Sequence, residues 1–192
     1  HYTARADVGV GELEDCWARL PSALRMIPGM IACYAEGLSR LGRGETAEKT
    51  LRQALKGNWC DELVLAYGNV RGADPTRQLK RAEQWLKAHA EDAALLLTTA
   101  RLCMAVELWG KARSYLESSL AMEPRPAAYA LYGQLLRQLG EEDDAAAAFR
   151  SGLALVTGPV TELPALGAPR AGAELEAGDL SVGESGATRA NR

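Results

Sequence analysis

This sequence contains few aromatic residues, no cysteine motif and little net charge. Only 6% of its 192 residues are aromatic and a single one is phenylalanine, whereas alanine and leucine are abundant, a composition that favours helices over sheets. The four cysteines lie far apart and form no CxxC or CxxCH, which argues against zinc, thiol-redox and covalent-haem motifs. A net charge of −3 gives no basic footprint, so we expect no nucleic-acid partner.

Long apolar runs are missing as well. No stretch approaches the roughly 18 to 20 apolar residues that a membrane-spanning helix needs. The chain opens His1-Tyr2-Thr3 with no methionine and no signal-peptide pattern, so we expect it to be a piece of a longer protein. Any membrane attachment is then expected to be made by segments outside this chain.

A recurring unit of two amphipathic segments is what the sequence does contain. In 129–156 the two segments meet at Gly140, and their apolar residues follow the three-or-four spacing of helices. Ala145 is small enough to let the two helices approach, and Phe149 is expected to fill the space beside that contact. The unit also occurs one step of 33 residues earlier, at 94–124.

Two further copies of the unit precede these. The copy at 31–57 has Gly42 at its turn, and the copy at 59–90 is degenerate, with Gln78 and Trp85 at packing positions. Helix pairs that recur at about 34 residues are the signature of tetratricopeptide arrays. We therefore predict an all-α, tetratricopeptide-like, right-handed helical-repeat superhelix of about four pairs plus an N-terminal capping helix.

The predicted domain is 12–157, with pairs at about 28–57, 59–90, 93–124 and 126–157. Residues 1–11 are expected to be disordered or added in cloning, and the Gly-, Ala- and Pro-rich tail 158–192 to be disordered.

The order of these units resembles one protein family. The stretches that carry the resemblance are LPSALRMIPGMIACYAEGLSRLG, ADPTRQLKRAEQWLKAH, EDAALLLTTARLCMAVELWGKARSYLESSL and RPAAYALYGQLLRQLGEEDDAAAAFRSGLALV. Together they are similar to the C-terminal tetratricopeptide domain of HemY, a proteobacterial haem-biosynthesis family. The resemblance implies a bacterial inner-membrane protein anchored by two N-terminal helices outside this chain, with this domain on the cytoplasmic side. It also implies a scaffold for late haem-biosynthesis enzymes, with haem or porphyrin as a candidate ligand.

Catalytic and metal-binding constellations are not evident in the sequence, so we expect a protein that is not an enzyme and holds no metal. His89 stands near a helix end without a second ligand at helical spacing, and is interpreted as a surface residue, with haem ligation as the alternative. The glycines of GNVRGAD are not followed by a phosphate-binding lysine. The GxGxxG of the unrelated oxidase that shares the HemY name does not occur in this chain.

The first helices of such pairs line a concave groove, and each is predicted to contribute two polar residues to it. In order along the chain these residues are Glu36 and Arg40, Tyr67 and Arg71, Thr98 and Arg101, and Gln134 and Arg137. Four arginines would form a ladder suited to carboxylates. The alternative is that these arginines are ordinary exposed helix residues.

The sequence is consistent with three functions. The first is a non-enzymatic scaffold that binds late haem-biosynthesis enzymes or other proteins and peptides. The second is a porphyrin or haem carrier, in which the arginines pair with propionates while Leu97 and Leu131 face the macrocycle. The third is a tetratricopeptide adaptor of another pathway.

Overall fold

The structure is a computed structural model that describes residues 2–158, with side chains from residue 9 onward. The predicted disordered tail 158–192 lies outside the described residues, apart from Gly158. The described residues form ten helices and no strand. In chain order they are α1 (Tyr2–Arg19), α2 (Ser22–Arg25), α3 (Pro28–Arg40), α4 (Gly44–Gly57), α5 (Asp61–Asn69), α6 (Pro75–Trp85), α7 (Ala93–Ala105), α8 (Trp109–Met122), α9 (Pro126–Gln138) and α10 (Glu142–Thr157).

Three of the four helix pairs are closed hairpins, in which α3 packs on α4, α7 on α8 and α9 on α10. The chain reverses between the helices of each hairpin through a residue with positive φ. Two of these residues are the predicted turn glycines, Gly42 (φ 80°) and Gly140 (φ 82°). The third is Glu107 (φ 60°), which occupies the corresponding place in the middle hairpin. A left-handed backbone suits glycine but strains glutamate, because of its Cβ atom.

Small residues allow the helices of a hairpin to approach. Ala112 and Ala145 are buried where α8 and α10 meet their partner helices. In the last hairpin the ring of Phe149 lies against Gly133, where an added Cβ would come within 2.7 Å of the ring carbon Cε1. The single phenylalanine therefore packs on the backbone of α9 beside the alanine contact, as the sequence predicts.

The second pair is not a closed hairpin: α6 packs against α7 but not closely against α5. Gln78 stands here where the other pairs have a small residue. Its buried amide Nε2 donates to the carbonyl oxygens of Tyr67 (2.8 Å) and Val70 (3.1 Å) at the end of α5. The larger side chain holds the helices apart while satisfying carbonyls that a helix end would otherwise leave unpaired.

First helices of neighbouring pairs also pack together, with α5 lying between α3 and α7. The buried residues of α3 to α9 form one core cluster, and α9 and α10 hold a smaller second cluster around Leu136 and Ala148. Each pair thus buries its apolar residues against the next pair, as expected for stacked helical repeats.

Residues 2–11, which are predicted from the sequence to be disordered or added in cloning, belong to helix α1 in this structure. The helix is held by its apolar face: Val10 is buried, and Leu13 lies so close to Gly37 of α3 that an added Cβ would come within 2.9 Å of it. Trp17 stacks on Tyr34, with ring centroids 4.3 Å apart. The predicted N-terminal capping helix is therefore longer than its sequence pattern indicates.

Candidate functional site

The eight predicted groove residues lie in different parts of the structure. Arg71 and Arg101 line one pocket, and Gln134 and Arg137 line a second. Met104 lines both pockets, so the two adjoin. The surface formed by Asn69, Arg71, Arg101, Met104, Gln134 and Arg137 is called the arginine groove below.

The first pocket, of about 420 Å³, lies where α5 ends, α6 begins and α7 ends. It is lined by residues of all three elements, among them Val70, Gln78 and Leu102. The separation of α6 from α5 opens this space, since in a closed hairpin the two helices would meet here. The unusual second pair thus creates the largest feature of the groove.

Arg101 projects from α7 into the first pocket and is half-buried. Its Nη1 donates to the side-chain oxygen Oδ1 of Asn69 at 2.6 Å, and no carboxylate among the described residues pairs with it. Burial lowers the pKa of Arg101 from its usual value, because removing water disfavours the charged form. Arginine nevertheless remains a cation at physiological pH, so a partly desolvated charge stands without a counter-ion.

Arg71 is exposed in the connection between α5 and α6. That connection is fixed at two points. The backbone N–H of Gly72 donates to Oε1 of Gln78 at 3.1 Å, and the carbonyl oxygen of Arg71 lies so close to Gly44 that an added Cβ would overlap it. Gly44 at the start of α4 is therefore required for the loop to hold its position at the pocket.

The second pocket has a volume of about 320 Å³ and extends the groove to α9. Arg137 is exposed there and, like Arg71, has no ion pair within the described part of the chain. No described Asp or Glu lines either pocket. The groove thus brings three arginines together without a carboxylate, in a chain whose net charge is −3.

Two predicted groove residues are instead in the core. Tyr67 is 0% exposed, donates its hydroxyl to Oε1 of Glu48 at 2.8 Å and meets the ring of Trp85. Thr98 is also 0% exposed and donates to the carbonyl oxygen of Val64 at 2.8 Å. Both residues face neighbouring helices because their polar groups find partners there, so their assignment to the groove is wrong.

Glu36 and Arg40 form a weak ion pair on the surface of α3, with 3.8 Å between Arg40 Nη2 and Glu36 Oε2. They line neither pocket of the arginine groove, so the ladder has three arginines, not four. Leu97 and Leu131 are buried in the core, and their predicted place facing a macrocycle is also wrong. Helix α7 is buried on nearly every side, so it lacks the amphipathic pattern on which the assignments of Leu97 and Thr98 relied.

Asn69, Met104 and Gln78 were not identified as site residues from the sequence, although they shape the groove. The departure of Gln78 from the small residue of the other pairs is the signal that could have found the pocket. Within the described residues no group of three His, Cys, Asp or Glu side chains could hold a metal ion. None of the described helices combines the length and the apolar character required to cross a membrane.

Comparison of the sequence with known proteins finds HemY. The chain is 26% identical over 152 residues to HemY of Escherichia coli K12, covering 79% of this chain and 38% of that protein. The same values hold for HemY of Shigella flexneri. The resemblance to HemY is confirmed. The chain spans about 38% of the length of these HemY proteins, and no model of a known protein family matches it.

The fold has a counterpart among solved structures. MamA from Desulfovibrio magneticus RS-1, residues 41 to the end, superposes with a TM-score of 0.50 at 16% identity, covering 81% of this chain and 97% of that one. MamA is a tetratricopeptide-like helical-repeat protein, so the predicted fold class is confirmed. At this identity the likeness concerns the fold alone.

Proposed function

We propose that this chain is a protein-interaction module of a HemY-like protein, and that its arginine groove binds an acidic segment of a partner. The observation that carries the proposal is the convergence of Arg71, Arg101 and Arg137 on two adjoining pockets that no described carboxylate lines. Surface arginines normally face mixed charges, whereas an unbalanced cationic groove attracts anions.

Arg101 is the anchor of the proposed interaction. A carboxylate placed in the first pocket would accept paired hydrogen bonds from its guanidinium, and such charge-assisted bonds strengthen where water is partly excluded. The bond to Asn69 fixes the orientation of the guanidinium before binding. Met104, flexible and apolar, suits contact with the aliphatic parts of a bound peptide. Arg71 and Arg137 are exposed, so each contributes less to affinity and more to the rate of encounter.

The similarity to HemY supports a place for the module in haem biosynthesis. In this proposal the full-length protein lies in the bacterial inner membrane with the groove on the cytoplasmic side. The partners are late haem-biosynthesis enzymes, and the module holds them without catalysing a reaction itself.

Affinity capture from a solubilised membrane extract tests the proposal. The chain should enrich late haem-biosynthesis enzymes, identified by mass spectrometry, and the Arg101→Gln variant should lose most of that enrichment. Arg150→Gln on α10 removes an exposed arginine outside both pockets and is the matched control, expected to capture as the unchanged chain does. Equal capture by the unchanged chain and Arg101→Gln would refute the role of the groove. Enrichment of enzymes from another pathway would instead favour an adaptor function unrelated to haem.

Porphyrin binding is the second candidate, because propionate groups are carboxylates that the same arginines could pair with. Protoporphyrin or haem bound in the groove should shift its Soret band, and the shift should weaken in Arg101→Gln. An unchanged band at tens of micromolar would exclude this candidate without affecting the protein-binding proposal.

A further inference from the structure

A third pocket lies outside the arginine groove, between α4, α6 and the connection from α4 to α5. It has a volume of about 400 Å³, within the range of small-molecule sites. Two tryptophans, Trp59 and Trp85, and three cations, Arg52, Lys56 and Arg81, line it. Among the described residues no Asp or Glu does. This surface is called the outer cleft.

The aromatic side of the outer cleft is held rigidly. Trp59 stacks on His89, with ring centroids 4.0 Å apart and an interplanar angle of 4°, and meets Trp85 edge-on at 5.5 Å. The indole Nε1 of Trp59 donates to Oδ2 of Asp92 at 2.8 Å. Rings fixed in this way lose little freedom when a flat molecule packs against them, so they are suited to bind one.

The cationic side is short of negative charge. Arg81 and Arg52 share a single carboxylate, that of Glu48, with its Oε1 2.5 Å from Arg81 Nη1 and 3.5 Å from Arg52 Nε. The Nε of Arg52 is buried and makes no hydrogen bond. Lys56 adds a third positive charge and has no ion pair within the described residues. Three positive charges thus face one carboxylate, so the cleft would attract an added anionic group.

We propose that the outer cleft binds a small molecule in which an anionic group is joined to a flat apolar ring system. The cations alone would suit any small anion, and the tryptophans alone any apolar ring. Their convergence on one pocket favours a ligand that carries both features. The site is independent of the arginine groove, since none of its lining residues lines that groove.

The four tryptophans of the chain give a direct readout, because each contributes one indole N–H resonance in a ¹H–¹⁵N NMR spectrum. Trp17→Phe and Trp109→Phe variants assign two of the four, and the remaining pair belongs to the cleft. The probe is 2-naphthoate, with 2-naphthamide as the same ring without charge and acetate as the charge without the ring. Only 2-naphthoate should shift the two cleft resonances in a saturable manner, leaving Trp17 and Trp109 unmoved.

Charge variants test the cationic side. Lys56→Gln should weaken 2-naphthoate binding about two- to fivefold, as expected for the loss of one exposed ion pair. Lys80→Gln removes an exposed lysine of α6 that does not line the cleft, and should leave the affinity unchanged. The proposal is overturned by equal shifts with 2-naphthamide or acetate, by equal movement of all four resonances, or by an unchanged affinity in Lys56→Gln.

Discussion

Replacement of Glu48 should weaken the junction between the first two helix pairs. Glu48 lies on α4, and its Oε1 accepts a hydrogen bond from the hydroxyl of Tyr67 on α5 and another from Arg81 on α6. It also pairs with Arg52 on its own helix. One carboxylate therefore links three helices, at the place where α5 and α6 do not pack closely on each other.

The magnitude follows from the burial of each partner. Tyr67 is fully buried, so Glu48→Ala leaves a hydroxyl without an acceptor, which costs about 1–3 kcal/mol. The side chains of Arg81 and Arg52 are 23% and 29% exposed, so water partly replaces the lost carboxylate and each lost ion pair costs about 0.5–1 kcal/mol. We expect Glu48→Ala to lower the free energy of unfolding by about 2–5 kcal/mol.

Urea unfolding followed by circular dichroism at 222 nm measures this loss. Glu91→Ala, in an exposed position between α6 and α7, is the control and should change the free energy by less than about 0.5 kcal/mol. A cycle with Tyr67→Phe should give a coupling of about 1–2 kcal/mol between the hydroxyl and the carboxylate. A loss below about 0.5 kcal/mol for Glu48→Ala, or no coupling, would contradict this account of the junction.

Three further predictions concern local packing. Gly133→Ala should destabilise the chain by about 1–2 kcal/mol because the new Cβ meets the Phe149 ring at 2.7 Å, whereas the control Gly110→Ala, with nothing within 4 Å, should be neutral or stabilising. Equal effects of the two substitutions in urea unfolding would contradict this packing. Glu107→Gly should raise the free energy of unfolding by about 0.5–1 kcal/mol because glycine adopts the positive φ without strain, whereas Glu107→Ala keeps the strain and should not. A gain in both variants would show that loss of the carboxylate, and not relief of backbone strain, stabilises the chain. Burial and the nearby Glu83 raise the pKa of Cys103 to about 11, so iodoacetamide at pH 8 should label the exposed Cys16 and Cys33 first and Cys103 only after unfolding. Equal labelling rates of the three cysteines, measured by mass spectrometry, would argue against a buried Cys103 thiol.

The closed hairpins could be predicted because their local signals agree. Gly42 and Gly140 mark left-handed turns, and the alanine and phenylalanine of the last pair occupy the helix crossing, as their sizes require. A glycine at a turn and a small residue at a crossing act over a few residues, so one sequence is enough to interpret them.

The groove could be predicted only in part, because its residues depend on how neighbouring pairs pack. Arg71, Arg101, Gln134 and Arg137 do line the adjoining pockets. The assignment of Tyr67 to the groove is wrong because the second pair is not a closed hairpin. Its sequence spacing therefore does not distinguish residues that face the groove from residues that face the core. The failure of the α7 assignments has the same cause, since the helix is apolar on nearly every side. The Glu48 junction joins residues distant in sequence, and no local pattern indicates it.

Photo-crosslinking from the centre of the groove tests the central claim most directly. Met104 lines both pockets, and a benzoylphenylalanine in its place would react with whatever occupies the groove. After irradiation of cells that produce the protein, the proposed function predicts adducts with late haem-biosynthesis enzymes. The same probe at Lys80, an exposed residue outside the groove, should give few adducts. Adducts that are no more abundant at Met104 than at Lys80, or that contain no such enzyme, would contradict it.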